Sequence, residues 1–145
     1  MEYCLGFAFD REGKSVLLTS KLKPEWQKGK LNGIGGKVEK GEPAKDAMIR
    51  ESFEETGFGG WNWKFYAILY HPEWMLSVFK TFDGRVRLFE EGVKNDVGEK
   101  IKLYSLFDIG ALHNVLLPNI VWLIYMALDE SVDICIVKEG ENDCA

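Results

Sequence analysis

The segment that most restricts how this chain can fold is GKVEKGEPAKDAMIRESFEETGF, residues 36–58. Pro43 suits the first turn of a helix, where its missing N–H costs nothing, and Gly57 can supply the left-handed residue that ends one. Residues 43–56 are therefore predicted to be a helix. At about 100° per residue, Glu51, Glu54 and Glu55 fall within roughly a third of its circumference. Ala44, Ala47 and Met48 project to that same side, while Ile49 and Phe53 form a second apolar stripe opposite. Like charges four residues apart cost a bare helix about 0.2–0.5 kcal/mol, and more once desolvated, unless a cation neutralises them. A cluster of hard oxygen ligands suits Mg²⁺ or Mn²⁺. Charge alone would make this a solvated helix face with an Arg50 to Glu54 pair, as most charge runs are. The residues flanking the helix decide against that.

The rest of the chain supplies a sheet. Residues 3–9 and 15–19 are apolar runs separated by a polar turn, which predicts a hairpin. The stretch that follows is rich in Lys and Gly and reads as a functional loop, with a brief extended piece at 31–38. Further strands are expected at 62–70, 74–82, 85–89 and 101–104, with Asp83-Gly84 as a hairpin turn signal. Val121, Ile124, Tyr125 and Leu128 have helical spacing after Pro118-Asn119, and 131–137 reads as a last short strand. Strands and helices interleave irregularly, so the expected fold class is α/β, one domain over 1–145, with a mixed sheet covered by helices on both faces.

Composition excludes several partners. The 145 residues carry a net charge of −5, which argues against binding nucleic acid polymers or anionic membranes through a basic patch. An acidic protein that acts on phosphates needs a cation as intermediary. Cys4, Cys135 and Cys144 are odd in number and form no CxxC pair, so neither a disulfide framework nor a zinc site is expected, and a reducing cytoplasm fits. The start has no signal-peptide pattern and no 18 apolar residues run together, so a soluble, unexported protein is expected.

Residues 36–58 match the pattern G-x5-E-x7-R-E-U-x-E-E-x-G-U at Gly36, Glu42, Arg50, Glu51, Glu54, Glu55 and Gly57. Phe58 fills the last apolar position, and Ser52 stands where the pattern has an aliphatic residue. A chance match of the fixed positions is on the order of one in 10⁵. The chain thus resembles the Nudix hydrolases. KGKLNGIGGKVEKGE further resembles the WNGFGGKVE-like run of MutT-type members, including those that remove oxidised purine nucleoside triphosphates.

The resemblance implies a Nudix-type α/β/α sandwich and Mg²⁺-dependent hydrolysis, with Mn²⁺ as substitute, of a phosphoanhydride in a nucleoside diphosphate derivative. A (d)NTP or oxidised purine dNTP, cut to NMP and pyrophosphate, is the expected substrate. Implied metal ligands are Glu51, Glu54, Glu55 and the carbonyl of Gly36. Arg50 is the implied orienting arginine, and Glu42 supports the loop or an outer metal shell. The general base is Glu51 or Glu99, with Glu90 and Glu91 less well placed. Gly35 and Gly36 let backbone approach a phosphate or metal closely. Asn32 lies near the base or is a turn residue before Gly33. Asn119 either reads the base or caps the last helix. Trp26, Trp74, Phe7 and Trp122 are aromatics able to stack on a base, although most aromatics are core. The alternatives are a hydrolase of ADP-ribose or another dinucleoside diphosphate, with Pro72 as its pointer, and a non-catalytic nucleotide-binding domain. Homodimerisation is possible by analogy.

Overall fold

The structure is a computed structural model that describes residues 1–112 and 114–138. Its strands are β1 (Glu2–Phe9), β2 (Ser15–Ser20), β3 (Leu31–Asn32), β4 (Ile34–Lys37), β5 (Lys64–Tyr70), β6 (Met75–Phe82), β7 (Val93–Lys94), β8 (Lys100–Ser105) and β9 (Cys135–Lys138). Its α-helices are α1 (Ala44–Thr56) and α2 (Ile120–Leu128). The main sheet runs β7-β8-β2-β1-β6-β5-β9. It is mixed, with β1 parallel to β6 and β5 parallel to β9 among antiparallel neighbours.

Residues Cys4 to Phe9 of β1 are all buried, as expected of a strand covered on both faces. Its alternate side chains separate two cores. Leu5, Phe7 and Phe9 pack with Ile120, Leu123, Ile124 and Ala127 of α2, whereas Cys4 and Ala8 pack with Ala47 and Met48 of α1. Helices thus cover opposite faces, giving the expected α/β/α sandwich.

One irregularity positions the site. β2 pairs with β1 only at Phe9 and Val16, and the space opened further along is filled by a wedge: β3 pairs with the end of β2, and β4 with the start of β1. The wedge carries Asn32, Gly35 and Gly36 to the place where β1 and β2 part.

Several expectations are corrected. Residues 84–89 are a 3₁₀ helix rather than a strand: Val86 and Phe89, three apart, both point inward, and Asp83 accepts from Arg85 N as its cap rather than starting a hairpin. Pro43 lies just before α1, not in its first turn, while Gly57 ends the helix at φ 77° as expected. The stripe of Ile49 and Phe53 is solvent-facing, at 45% and 57% exposure, because the helix is buried along Ala47, Met48 and Ser52 instead. In α2 the buried stripe is Ile120, Leu123, Ile124 and Ala127, one position off the expected set, and Tyr125 is exposed. The last strand begins at Cys135, and β7 and the 3₁₀ turns at Glu25–Gln27 and Leu106–Leu112 had no counterpart in the reading of the sequence. Cys144 lies outside the described residues; Cys4 and Cys135 are free thiols. Among the described residues no helix is long and apolar enough to cross a membrane.

Candidate active site

The acids of α1 face the wedge. Glu55 Oε2 accepts a hydrogen bond from Gly35 N at 2.8 Å. A Cβ on Gly36 would lie 2.6 Å from the Glu51 carboxyl, and one on Gly35 would collide with the Cys4 carbonyl. Glycine at position 35 is thus required by packing against backbone, and at position 36 it leaves the Glu51 carboxyl its place: strand β4 lies flush between β1 and the helix acids. The motif glycines and motif glutamates meet because the loop folds back along β1.

Arg50 organises the other side of the cluster. It grips Glu42 in a two-pronged ion pair, Nε to Oε2 at 3.1 Å and Nη2 to Oε1 at 3.0 Å, and donates to Lys37 O at 3.0 Å. Its Nη1 donates to Glu51 Oε1 at 2.9 Å and lies 3.6 Å from Glu54 Oε1. Glu42 in turn accepts from Glu39 N, so the arginine ties the loop before α1 to the helix. The hydrogen bonds from Arg50 hold the Glu42 carboxyl below its usual range, and donating to Glu42 and Glu51 raises the guanidinium.

Burial has the opposite effect on the two acids nearest the sheet. Desolvation pushes the Glu55 carboxyl up to about 8, against the pull of Lys21 and the Gly35 N–H, and it raises Glu51 as well, against the pull of Arg50. Two carboxyls kept from water beside a third, with a backbone strand pressed against them, form a site that gains from a hard cation. The donors are all oxygen, which fits Mg²⁺ or Mn²⁺. Among the described residues no three acidic side chains already converge on one ion position, since Glu51 and Glu54 are turned towards Arg50.

Glu99 is buried beside this cluster. Its Oε2 accepts from Leu22 N at 2.9 Å and lies 3.5 Å from Lys21 Nζ. Asn95 Oδ1 accepts from Glu99 N, which fixes the loop ahead of β8. Glu90 is paired with Arg87 on the 3₁₀ helix, on an exposed surface.

A cavity of about 560 Å³ opens beside Gly35 and Gly36. Asn32 and Asn119, read from the sequence as separate candidates, line it together with Gly35. Asn32 Oδ1 accepts from Gly33 N, as a turn residue does, while its side chain also borders the cavity. Asn119 occupies the N-cap position of α2 without capping it by its side chain. It adopts φ 73°, a left-handed conformation that Asn tolerates better than most residues, and its Oδ1 accepts from Trp122 Nε1 at 3.0 Å. Trp26, 68% exposed, and Trp74, stacked on His71, also border the cavity, whereas Phe7 is fully buried core. Pro72 sits in the turn between β5 and β6, where His71 and Trp74 exchange backbone hydrogen bonds. The buried Cys4 thiol at the cavity wall is pushed up to about 11 and so kept unreactive.

Lys21, Lys23 and Lys37 line the cavity too and were not singled out from the sequence. The signal for Lys21 was present in strand alternation: Leu17, Thr19 and Lys21 fall on one face of β2 and its extension, and Leu17 packs in the α1 core.

An α/β/α sandwich in which a loop and helix gather four carboxylates around an arginine, two of them against a glycine pair, defines a protein with a candidate divalent-cation site beside a cavity. The NUDIX domain model matches residues 4–118. The chain therefore belongs to the Nudix family and is a Nudix hydrolase, a family that acts on nucleoside diphosphate derivatives and generally uses divalent metal ions. Similar solved structures include a mutator MutT protein from Bacillus halodurans, at 23% identity and TM-score 0.68, covering 92% of this chain and 84% of that one. A NUDIX-family hydrolase from Clostridium perfringens aligns at 22% identity and TM-score 0.60, covering 88% and 95%. A mutT/nudix family protein from Listeria innocua aligns at 19% and 0.67, covering 88% and 90%. At these identities the likeness is one of fold. No curated protein matches the chain.

Proposed function

We propose that the protein is a MutT-type pyrophosphohydrolase that cuts a (d)NTP or an oxidised purine dNTP to NMP and pyrophosphate, with Mg²⁺ as cofactor and Mn²⁺ as substitute. The observation that carries the reading is that Gly35 and Gly36 are shared: one side borders the cavity lined by Asn32 and Asn119, the other touches Glu51 and Glu55. A base held in the cavity sets its phosphates over the acids. Three lysines in the wall of a cavity in an acidic protein support a polyanionic ligand.

Glu51, Glu54, Glu55 and the Gly36 carbonyl would hold the divalent ion, which when bound neutralises phosphate oxygens and acidifies a water. Arg50 fixes Glu51 through Oε1, which leaves Oε2 as the proton-accepting atom of the base. Glu99 is assigned to anchoring: its carboxylate holds Leu22 N and balances Lys21, keeping that lysine at the edge of the site. Asn32 and Asn119 supply amides to the edge of the base. Incubating purified protein with dNTPs, oxidised dNTPs, ADP-ribose and NADH, and identifying the products, tests the reading. Release of pyrophosphate and NMP, lost on chelation and restored by Mg²⁺, is expected; cleavage of ADP-ribose alone, or full turnover in excess chelator, overturns it.

A further inference from the structure

The face of α1 turned to the sheet is narrow. Its buried residues are Ala47, Met48 and Ser52, and its outward face is in solvent, so the helix is held from one side, by one long apolar side chain flanked by two small groups. Apolar contact resists separation of helix and sheet but is non-directional. Directional hydrogen bonds resist rolling.

Ser52 makes such bonds. Its hydroxyl donates to Ile49 O at 3.0 Å and accepts from the indole Nε1 of Trp63 at 3.0 Å, with both side chains buried. One turn on, Thr56 Oγ1 donates to Ser52 O and accepts from Trp61 Nε1 at 3.2 Å. Trp61 and Trp63 lie side by side with ring centres 6.2 Å apart. Trp63 is itself seated on β1, because a Cβ at Gly6 would come within 2.8 Å of its ring. Ser52 is where the family pattern has an aliphatic residue. Here a hydroxyl replaces that knob, and Trp63 occupies the facing space.

We infer that Ser52 and Trp63, backed by Thr56 and Trp61, are positioning residues: a hydrogen-bonded clasp that sets the roll of α1 and so the placement of Glu51 and Glu55 against Gly35 and Gly36. Ser52 follows Glu51 directly and precedes Glu55 by three, so any roll that the clasp permits is passed to both acids. Carboxylate oxygens about 6 Å from a helix axis move about 1 Å for a 10° roll. A misplacement of about 1 Å can cost on the order of 10²-fold in rate.

The inference rests on the proposed role of the α1 acids, and the test separates the two. Ser52→Ala and Trp63→Phe each break the clasp, and Arg87→Ala, which removes the ion pair to buried Asp10 at the other end of β1, serves as a destabilised control. Measured well below each melting temperature, Ser52→Ala and Trp63→Phe should lower kcat about tenfold or more with KM within about twofold. The double variant should be no worse than the poorer single, as expected of one shared contact. Mn²⁺ affinity, read from the free-ion paramagnetic signal without substrate, should weaken in both single variants and stay unchanged in Arg87→Ala. If the clasp variants lose melting temperature like the control yet keep kcat and Mn²⁺ affinity, the clasp is only packing and the inference fails. A wild-type protein that neither binds Mn²⁺ nor hydrolyses a nucleotide overturns the role of the acids and takes the clasp with it, whereas an active wild type with unaffected variants overturns the clasp alone.

Discussion

Lys21 Nζ stands 3.5 Å from Glu99 Oε2, and the same oxygen accepts from the backbone N–H of Leu22. The end of β2 is thereby pinned to the loop ahead of β8, and a lysine is held where its charge favours the ionised forms of Glu51 and Glu55. The two acids that the sequence offers as candidates for the base thus have different surroundings: Glu51 is held by an arginine against the glycine strand, and Glu99 is engaged in holding a loop.

This difference gives the first prediction. Glu99→Gln keeps an acceptor for Leu22 N and loses only the charge facing Lys21, so kcat should fall less than about tenfold. Glu51→Gln should cost roughly 10²- to 10⁴-fold, the usual price of losing a general base. Steady-state kinetics on the two variants decides it, and the reverse ranking would transfer the base to Glu99.

Arg50 joins Glu42, Glu51, Glu54 and Lys37 O through one planar group. Lysine at this position has the charge without the fork, and cannot serve the loop and the helix together. Arg50→Lys should lower kcat about 10²-fold and reduce the melting temperature. Retention of more than about a third of the wild-type kcat would show that the orientation of Glu51 does not depend on the guanidinium.

Glu55 yields a pH-dependent prediction. Burial raises its carboxyl from 4.5 to about 8 in the folded chain, so its contribution to stability is full below about pH 4.5 and is lost as pH rises through 8. Glu55→Gln is neutral at every pH and can still accept from Gly35 N. Without metal, the variant should melt several degrees above wild type at about pH 9 and level with it near pH 4. With Mg²⁺ present the order should reverse, because binding displaces the proton in the wild type and finds one ligand fewer in the variant. Calorimetry with and without chelator checks both arms, and a variant no more stable than wild type at high pH without metal would mean that Glu55 ionises freely.

Much of this site was legible in the sequence, for local reasons. The spacing of Glu51, Glu54 and Glu55, the stop at Gly57 and the glycine pair each depend on neighbours within a few residues, and the sandwich followed from strand and helix periodicities. What escaped depends on residues far apart in the chain. Leu22 meets Glu99 across a separation of 77 residues, and Trp63 meets Ser52 only because the chain turns back on α1 after Gly57. Ile49 and Phe53 form a helical stripe by spacing alone, but spacing does not say which stripe faces the sheet. Residues 85–89 failed for a different reason: Val86 and Phe89 sit three apart, a 3₁₀ period that a five-residue run cannot distinguish from a twisted strand.

The last prediction concerns where the base is read. Asn119 has a left-handed backbone and an amide that borders the cavity and accepts from Trp122 Nε1. Replacing it by alanine would mix two effects, since a side chain in that conformation costs about 1–2 kcal/mol while the amide is lost as well. Glycine separates them, because it adopts φ 73° freely and removes only the amide. Half-buried Trp122 can turn its N–H to water, so Asn119→Gly should keep its melting temperature within a few degrees of wild type. If the amide hydrogen-bonds a purine, the ratio of kcat/KM values among nucleotides should fall two- to tenfold, the range of about 0.5–1.5 kcal/mol for one neutral hydrogen bond. An unchanged ratio in a variant of native stability would leave Asn119 as a backbone residue at the start of α2, and would move base recognition to Asn32 on the wedge strand.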